Sequence, residues 1–128
     1  MKVSSILATL GLLSTAAANF MDTCMECGIG GGPGTPDPYL VCMCRRNNGN
    51  YERSQINLSR CITNANGRLV AQANGGFGGS CFGTSIANSW TLRSKCNTIG
   101  GGRVDTSIDL YWVPIDNFNG DLRCYGLN

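Results

Sequence analysis

Ser54-Gln55-Ile56-Asn57-Leu58 alternates polar and apolar side chains, and the alternation returns at Thr106-Ser107-Ile108-Asp109-Leu110. A period of two is the mark of a strand with one buried face. The two stretches also share a frame. Twelve positions before each Ile-x-Leu lies a cysteine that follows a leucine: Leu40-x-x-x-Cys44 and Leu92-x-x-x-Cys96. Further upstream, Phe20-x-x-x-Cys24 matches Phe77-x-x-x-Cys81. Downstream, each half closes on an Asn-Gly pair followed by x-Leu: Asn66-Gly67-Arg68-Leu69 and Asn119-Gly120-Asp121-Leu122. The second half carries one extra residue before its turn, near Trp112. Matched elements in one order, at a spacing of about 50 residues, are an internal duplication. Two copies are too few for a solenoid, which needs about three. The reading is a single pseudo-symmetric domain.

The remaining local signals agree with strands. Asn48, Asn66, Asn74 and Asn119 each precede a glycine, and Asn-Gly is a strong hairpin signal because both residues accept positive φ. Gly28 to Pro38 is rich in glycine and proline and reads as a loop. Long helical periodicity is absent after the first residues. The expected fold class is all-β.

The chain opens with Met1-Lys2, an apolar run from Val3 to Leu13, and Ala16-Ala17-Ala18. That is the pattern of a secretory signal peptide over residues 1–18, too short to span a membrane. Cleavage after Ala18 leaves Asn19 to Asn128, with repeat one at about 19–74 and repeat two at about 75–128. The expected location is extracellular. All eight cysteines lie in that portion: Cys24, Cys27, Cys42, Cys44, Cys61, Cys81, Cys96 and Cys124. An even count in a short secreted chain reads as a disulfide framework. Such a framework matters where the core is modest. Ten basic and eight acidic residues, less Lys2, leave nine minus eight, or +1. That is no field for nucleic acid or anionic lipid. Arg45-Arg46 is a mere pair, readable as a solvated turn.

These residues resemble cyanovirin-N and its fungal homologues. Phe20-Met21-Asp22-Thr23-Cys24 is similar to the family's opening strand and first half-cystine. Cys44 through Asn50-Tyr51, Ile56-Asn57-Leu58 and Asn66-Gly67-Arg68-Leu69 resemble the rest of repeat one. Cys81, Leu92, Cys96, Val104, Ile108-Asp109-Leu110 and Gly120-Asp121-Leu122 resemble repeat two. The resemblance implies two pseudo-symmetric halves, each a three-stranded sheet plus a β-hairpin, with disulfides Cys24–Cys44 and Cys81–Cys96. It implies a lectin without catalysis or cofactor, holding mannose-rich glycans at two opposite ends. Cys27, Cys42, Cys61 and Cys124 are additional to that pattern, and three connectivities are open. Cys27–Cys42 is favoured because it nests inside Cys24–Cys44, and it leaves Cys61–Cys124. One objection stands. Cys42 and Cys44 share a strand face, and Cys24 and Cys27 do not unless a bulge intervenes.

Carried over position by position, the resemblance nominates two sugar sites. The first combines Asp22, Thr23, Arg45, Asn47, Asn48, Asn117 and Asn119. The second and weaker combines Thr63, Asn64, Asn66, Asn74, Ser80, Asn97 and Thr98. The second is poorer because Gly75-Gly76, Gly78-Gly79 and Gly100-Gly101-Gly102 offer few directed side chains. Trp90 and Trp112 are expected to pack in the interior and not to stack on sugar. Asn57-Leu58-Ser59 is a glycosylation sequon, with Asn57 expected to face outward.

Other chemistries fit less well. Cys24-Met25-Glu26-Cys27, with Cys42 and Cys44, has the spacing of a redox or zinc motif, but the secretory context favours plain disulfides and no metal. The chain has no histidine, which removes triads built on it. Its acids form no recognisable glycosidase pair. The expected activity is binding of mannose-containing or related neutral glycans. The alternative is a secreted, Cys-rich protein-binding module that kept the fold and lost the sugar. Monomer and half-swapped dimer are both compatible with a two-repeat fold.

Overall fold

The computed structural model describes residues 19–30, 37–88 and 90–124. The expected signal peptide, most of the Gly/Pro loop and the last four residues lie outside them. Among these residues there are ten strands: β1 (Cys24–Gly30), β2 (Tyr39–Arg45), β3 (Tyr51–Asn57), β4 (Ile62–Ala65), β5 (Arg68–Ala71), β6 (Cys81–Ala87), β7 (Thr91–Asn97), β8 (Arg103–Asp109), β9 (Ile115–Phe118) and β10 (Asp121–Cys124). Single 3-10 turns at Phe20–Asp22, Leu58–Arg60, Phe77–Gly79 and Leu110–Trp112 punctuate them. No α-helix occurs among the described residues, and the protein is all-β. Each half has an antiparallel three-stranded sheet, β1-β2-β3 or β6-β7-β8, and a hairpin, β4-β5 or β9-β10.

The strands bury alternate residues. Leu40, Cys42 and Cys44 on β2, and Leu92, Ser94 and Cys96 on β7, face inward. Phe20 and Phe77, which open the two repeats, are fully buried and join one continuous core with Leu58, Ile62, Leu110 and Ile115. Leu58 and Leu110 sit one residue past the strands, at the start of 3-10 turns.

Neither repeat completes itself. Hairpin β4-β5 meets β8 and hairpin β9-β10 meets β3, so each hairpin packs on the other repeat's sheet. Matched side chains fasten the docking. Ser54 Oγ on β3 accepts the Leu122 N–H (3.1 Å), and Thr106 Oγ1 on β8 accepts the Leu69 N–H (3.4 Å).

Two of the four Asn-Gly pairs form two-residue hairpin turns. Asn66 and Asn119 both have φ of 52°, and Gly67 and Gly120 both have φ of 89°, the conformation that matches strand twist. The other two pairs differ from expectation. Asn48-Gly49 lies in the longer connection between paired Arg45 and Tyr51, where only Gly49 has positive φ. Asn74-Gly75 joins the repeats and closes no hairpin, since Gly75 lies flat against the Ile62–Thr63 backbone and leaves no room for a Cβ. The extra residue of repeat two is Pro114. Val113 takes the buried place of Cys61, and Ile115 begins its strand as Ile62 does.

The eight cysteines form Cys24–Cys44, Cys27–Cys42, Cys61–Cys124 and Cys81–Cys96. A bulge answers the objection to Cys27–Cys42. The β1–β2 register shifts between Met25 and Gly28, with Glu26 at φ 54°. The extra residue turns Cys27 onto the inner face. Repeat two keeps the same bulge between Phe82 and Ser85, with Gly83 at φ 64°. There Thr84 and Ser94 hold the equivalent places, their hydroxyls 2.8 Å apart. A hydrogen bond in one repeat thus replaces a disulfide in the other. The double variant Thr84→Cys with Ser94→Cys is expected to oxidise spontaneously. The new ring is only the short ladder inside Cys81–Cys96, so the gain is about 2 kcal/mol. Thiol titration and urea unfolding check it; thiols that stay free would show that the bulges are not equivalent.

Candidate functional site

At the first end, three segments meet: the start of β1, the β2–β3 connection and the β9–β10 turn. Thr23, Arg45, Arg46, Asn47, Gly49, Asn117 and Asn119 line a cavity of about 380 Å³ there. Five of the seven residues expected from the sequence are therefore gathered. Asp22 and Asn48 stand outside the lining. Asn48 turns its Oδ1 to the Asn50 N–H (2.9 Å) inside its own loop.

The asparagines of the hairpin are framework groups. Asn117 Nδ2 donates to Thr23 Oγ1 (2.9 Å) and to the Arg45 carbonyl (2.8 Å), while its Oδ1 accepts the Gly120 N–H (2.6 Å). Asn119 Oδ1 accepts the Asn47 N–H (2.8 Å). Of the side chains that line this cavity, the Arg45 guanidinium and the Asn47 amide have no partner among the described residues. Arg46 and Glu52 form a 2.7 Å ion pair, and the stem of Arg46 lies across Gly120, where a Cβ would meet Arg46 Cγ at 2.8 Å. Arg46 is thus a wall of the cavity and not a loosely solvated turn. Its signal was a contrast between the repeats: Arg46 and Glu52 correspond to Thr98 and Val104.

The second end repeats the framework and changes the surface. Asn64 Nδ2 donates to Ser80 Oγ (2.8 Å) and the Asn97 carbonyl (2.9 Å). Its Oδ1 accepts the Gly67 N–H (2.7 Å), and Asn66 Oδ1 accepts the Ile99 N–H (2.9 Å). The side chains that faced solvent at the first end are altered. Asn97 Oδ1 is taken by Arg103 Nε (2.9 Å). Thr98 Oγ1 accepts the Gly102 N–H of its own turn (3.1 Å). Asn47 is replaced by Ile99, which is 89% exposed. The methyls of Val104 and Thr98 fill the space beside Gly67. Thr63 bridges to Gly76. Asn74 lines a different groove, with Tyr39, Gln55 and Arg60.

Two further expectations need correction. Trp90 is half-buried and meets Phe20 edge-on at 5.5 Å, but Trp112 is 72% exposed. It follows the buried Leu110 on a single 3-10 turn, which turns Tyr111 and Trp112 outward. Asn57 does not face freely outward. Its Oδ1 caps the next turn at the Ser59 N–H (2.9 Å), and its Nδ2 donates to Asp37 Oδ2 (3.0 Å).

Comparison with known proteins places this arrangement. The family model of the CVNH domain matches residues 4–70, just over half of the chain. The solved structure of T. borchii CVNH is 28% identical, over 83% of this chain and 98% of that one, at a TM-score of 0.67. Microvirin in its mannobiose complex is 26% identical, over 85% of this chain and 100% of that one, at 0.62. A MoCVNH3 variant in complex with (N-GlcNAc)4 shares the fold at 0.71, with 19% identity over 85% and 98% of the two chains.

Proposed function

The chain belongs to the CVNH domain family, and from that premise we propose that it is a carbohydrate-binding lectin that works from one end. Recognition, not catalysis, is its activity. The observation that carries this reading is the asymmetry between two equivalent frameworks. Both ends hold their turns with the same asparagine bonds, but only the first leaves a guanidinium and an amide uncommitted over a polar cavity. Hydrogen-bonding groups fixed on a rigid surface suit neutral sugar hydroxyls. Related structures hold mannobiose and a GlcNAc oligomer, which supports mannose-containing or related neutral glycans as the ligand class. Secretion after removal of residues 1–18 belongs to the same proposal. A single working end binds glycans without cross-linking them.

The test is an NMR titration of the oxidised protein with mannose oligosaccharides and chitin fragments. Shifts are expected at Arg45, Asn47 and Asn119. The Asn47→Ala variant is expected to bind about tenfold more weakly with its fold intact, because the framework uses only its backbone N–H. Shifts confined to Asn97 and Ile99 would reverse the ranking of the ends. Silence toward both sugars would favour the protein-binding alternative, for which the exposed Ile99 is the natural contact.

A further inference from the structure

Outside that end, a polar groove of about 650 Å³ lies between the repeats. One wall is β3 with Gln55 and Asn57, and Tyr39 stands opposite Asn57 on β2. The other wall is β10, with Asp121 and Arg123, and the repeat-joining segment at Ala73 and Asn74 closes it. The walls are pinned on three sides. Leu122 N–H bonds to Ser54 Oγ. Gln72 and Asn74 N–H groups bond to the Cys61 and Arg60 carbonyls, each at 2.8 Å. The Cys61–Cys124 disulfide ties the end of β10 to the Leu58–Arg60 turn.

The groups inside fall into two classes. Asn57 is committed to Ser59 and Asp37, and Arg123 pairs with Asp121 at 2.9 Å. The side chains of Tyr39, Gln55, Arg60 and Asn74 have no partner among the described residues, and Gln55, Arg60 and Asn74 are exposed. The duplicated frame does not demand these residues. Repeat two has Thr91, Ser107 and Trp112 at the places of Tyr39, Gln55 and Arg60, and Arg68 and Val70 at those of Asp121 and Arg123. The groove therefore bears one guanidinium without an ion-pair partner among the described residues, together with two free amides and an aromatic ring. A guanidinium fork pairs two-pronged with a carboxylate or a phosphate. Amides take up hydroxyls, and a tyrosine ring offers a face to a pyranose.

We infer that this groove is a second ligand site, specific to one side of the molecule, and that it takes an anionic saccharide, with Arg60 on the charged group. It uses none of the first end's residues, so the two sites stand or fall separately.

The experiment is an NMR titration of the oxidised protein with trigalacturonate (a carboxylate), mannose 6-phosphate (a phosphate) and a neutral mannose disaccharide. Either anion is expected to shift Tyr39, Gln55, Arg60 and Asn74 without moving Arg45 or Asn47. Which anion does so identifies the charged group. Arg60→Gln is expected to weaken that binding about tenfold and to abolish its salt dependence. Arg60 is exposed and only its carbonyl serves the framework, so the variant should fold. Gln55→Ala is the independent second variant. Three outcomes would overturn the inference: no groove shifts with either anion, equal affinity in Arg60→Gln, or contacts placing residues 125–128 in the groove.

Discussion

Replacing Cys61 with valine and Cys124 with alanine together is expected to leave the fold intact and to lower stability by about 4 kcal/mol. The bond joins residues 63 apart, and Cys81–Cys96, separation 15, shortens the loop it closes. A loop of about fifty residues still loses roughly 4 kcal/mol of unfolded-state entropy when cross-linked. The nested Cys27–Cys42 bond closes only a short ladder and contributes about half as much by the same reasoning. The replacements come from the molecule itself. Val113 holds the place of Cys61, buried and bonding its N–H back to Leu110 as Cys61 does to Leu58. Ala71 pairs with Ile62 as Cys124 pairs with Ile115. Valine and alanine therefore enter positions whose counterparts already hold them, and no large cavity adds to the entropic loss. Urea unfolding of the oxidised variant measures the effect. A loss below about 1 kcal/mol would mean that packing, not the cross-link, holds the hairpins together.

The duplication was the most legible feature, because strand alternation, cysteine spacing and Asn-Gly turns are local signals that survive in sequence. Phe20 and Phe77, Leu40 and Leu92, and Asn66 and Asn119 all occupy matched places for that reason. What the sequence hid was commitment. Asn47 and Asn117 look alike as residues, yet one side chain is uncommitted and the other makes three bonds. A hydrogen bond between residues 94 apart leaves no local trace. The bulge at Glu26 was hidden similarly, since a non-glycine residue with positive φ is not announced by its type. Trp112 misled because its exposure follows from the buried Leu110 two places earlier on a single tight turn. The inter-repeat groove was invisible because its walls come from both halves.

Alanine at Asn117 or Asn64 is expected to cost about 3 kcal/mol, which lowers the melting temperature on the order of 10 °C. Each amide ties its hairpin turn to the end of the other repeat's sheet, with which that hairpin shares no strand pairing. At the first end it ties the β9–β10 turn, Thr23 and the Arg45 carbonyl; at the second it ties the β4–β5 turn, Ser80 and the Asn97 carbonyl. Removing it strands an N–H in a buried glycine turn and a carbonyl at a strand end. Unmet groups of this kind cost about 1–3 kcal/mol each when water cannot reach them. Water reaches the carbonyl side more easily, which holds the sum of the two near about 3 kcal/mol, in the lower half of what two fully buried groups would cost. Aspartate at position 117 separates the parts: it can still accept from Gly120, but it sets a carboxylate against the Arg45 carbonyl, so its loss should be smaller than alanine's yet clear. The two alanine variants should match in stability and differ in binding. Asn117→Ala loosens the wall of the glycan cavity and weakens sugar binding as well, whereas Asn64→Ala leaves sugar binding at the first end unchanged. If both melt within about 2 °C of the parent, the asparagine clamps are ornaments of already stable hairpins. If Asn64→Ala weakens sugar binding as much as Asn117→Ala, the two ends are coupled through the exchanged hairpins and the glycan site does not act alone.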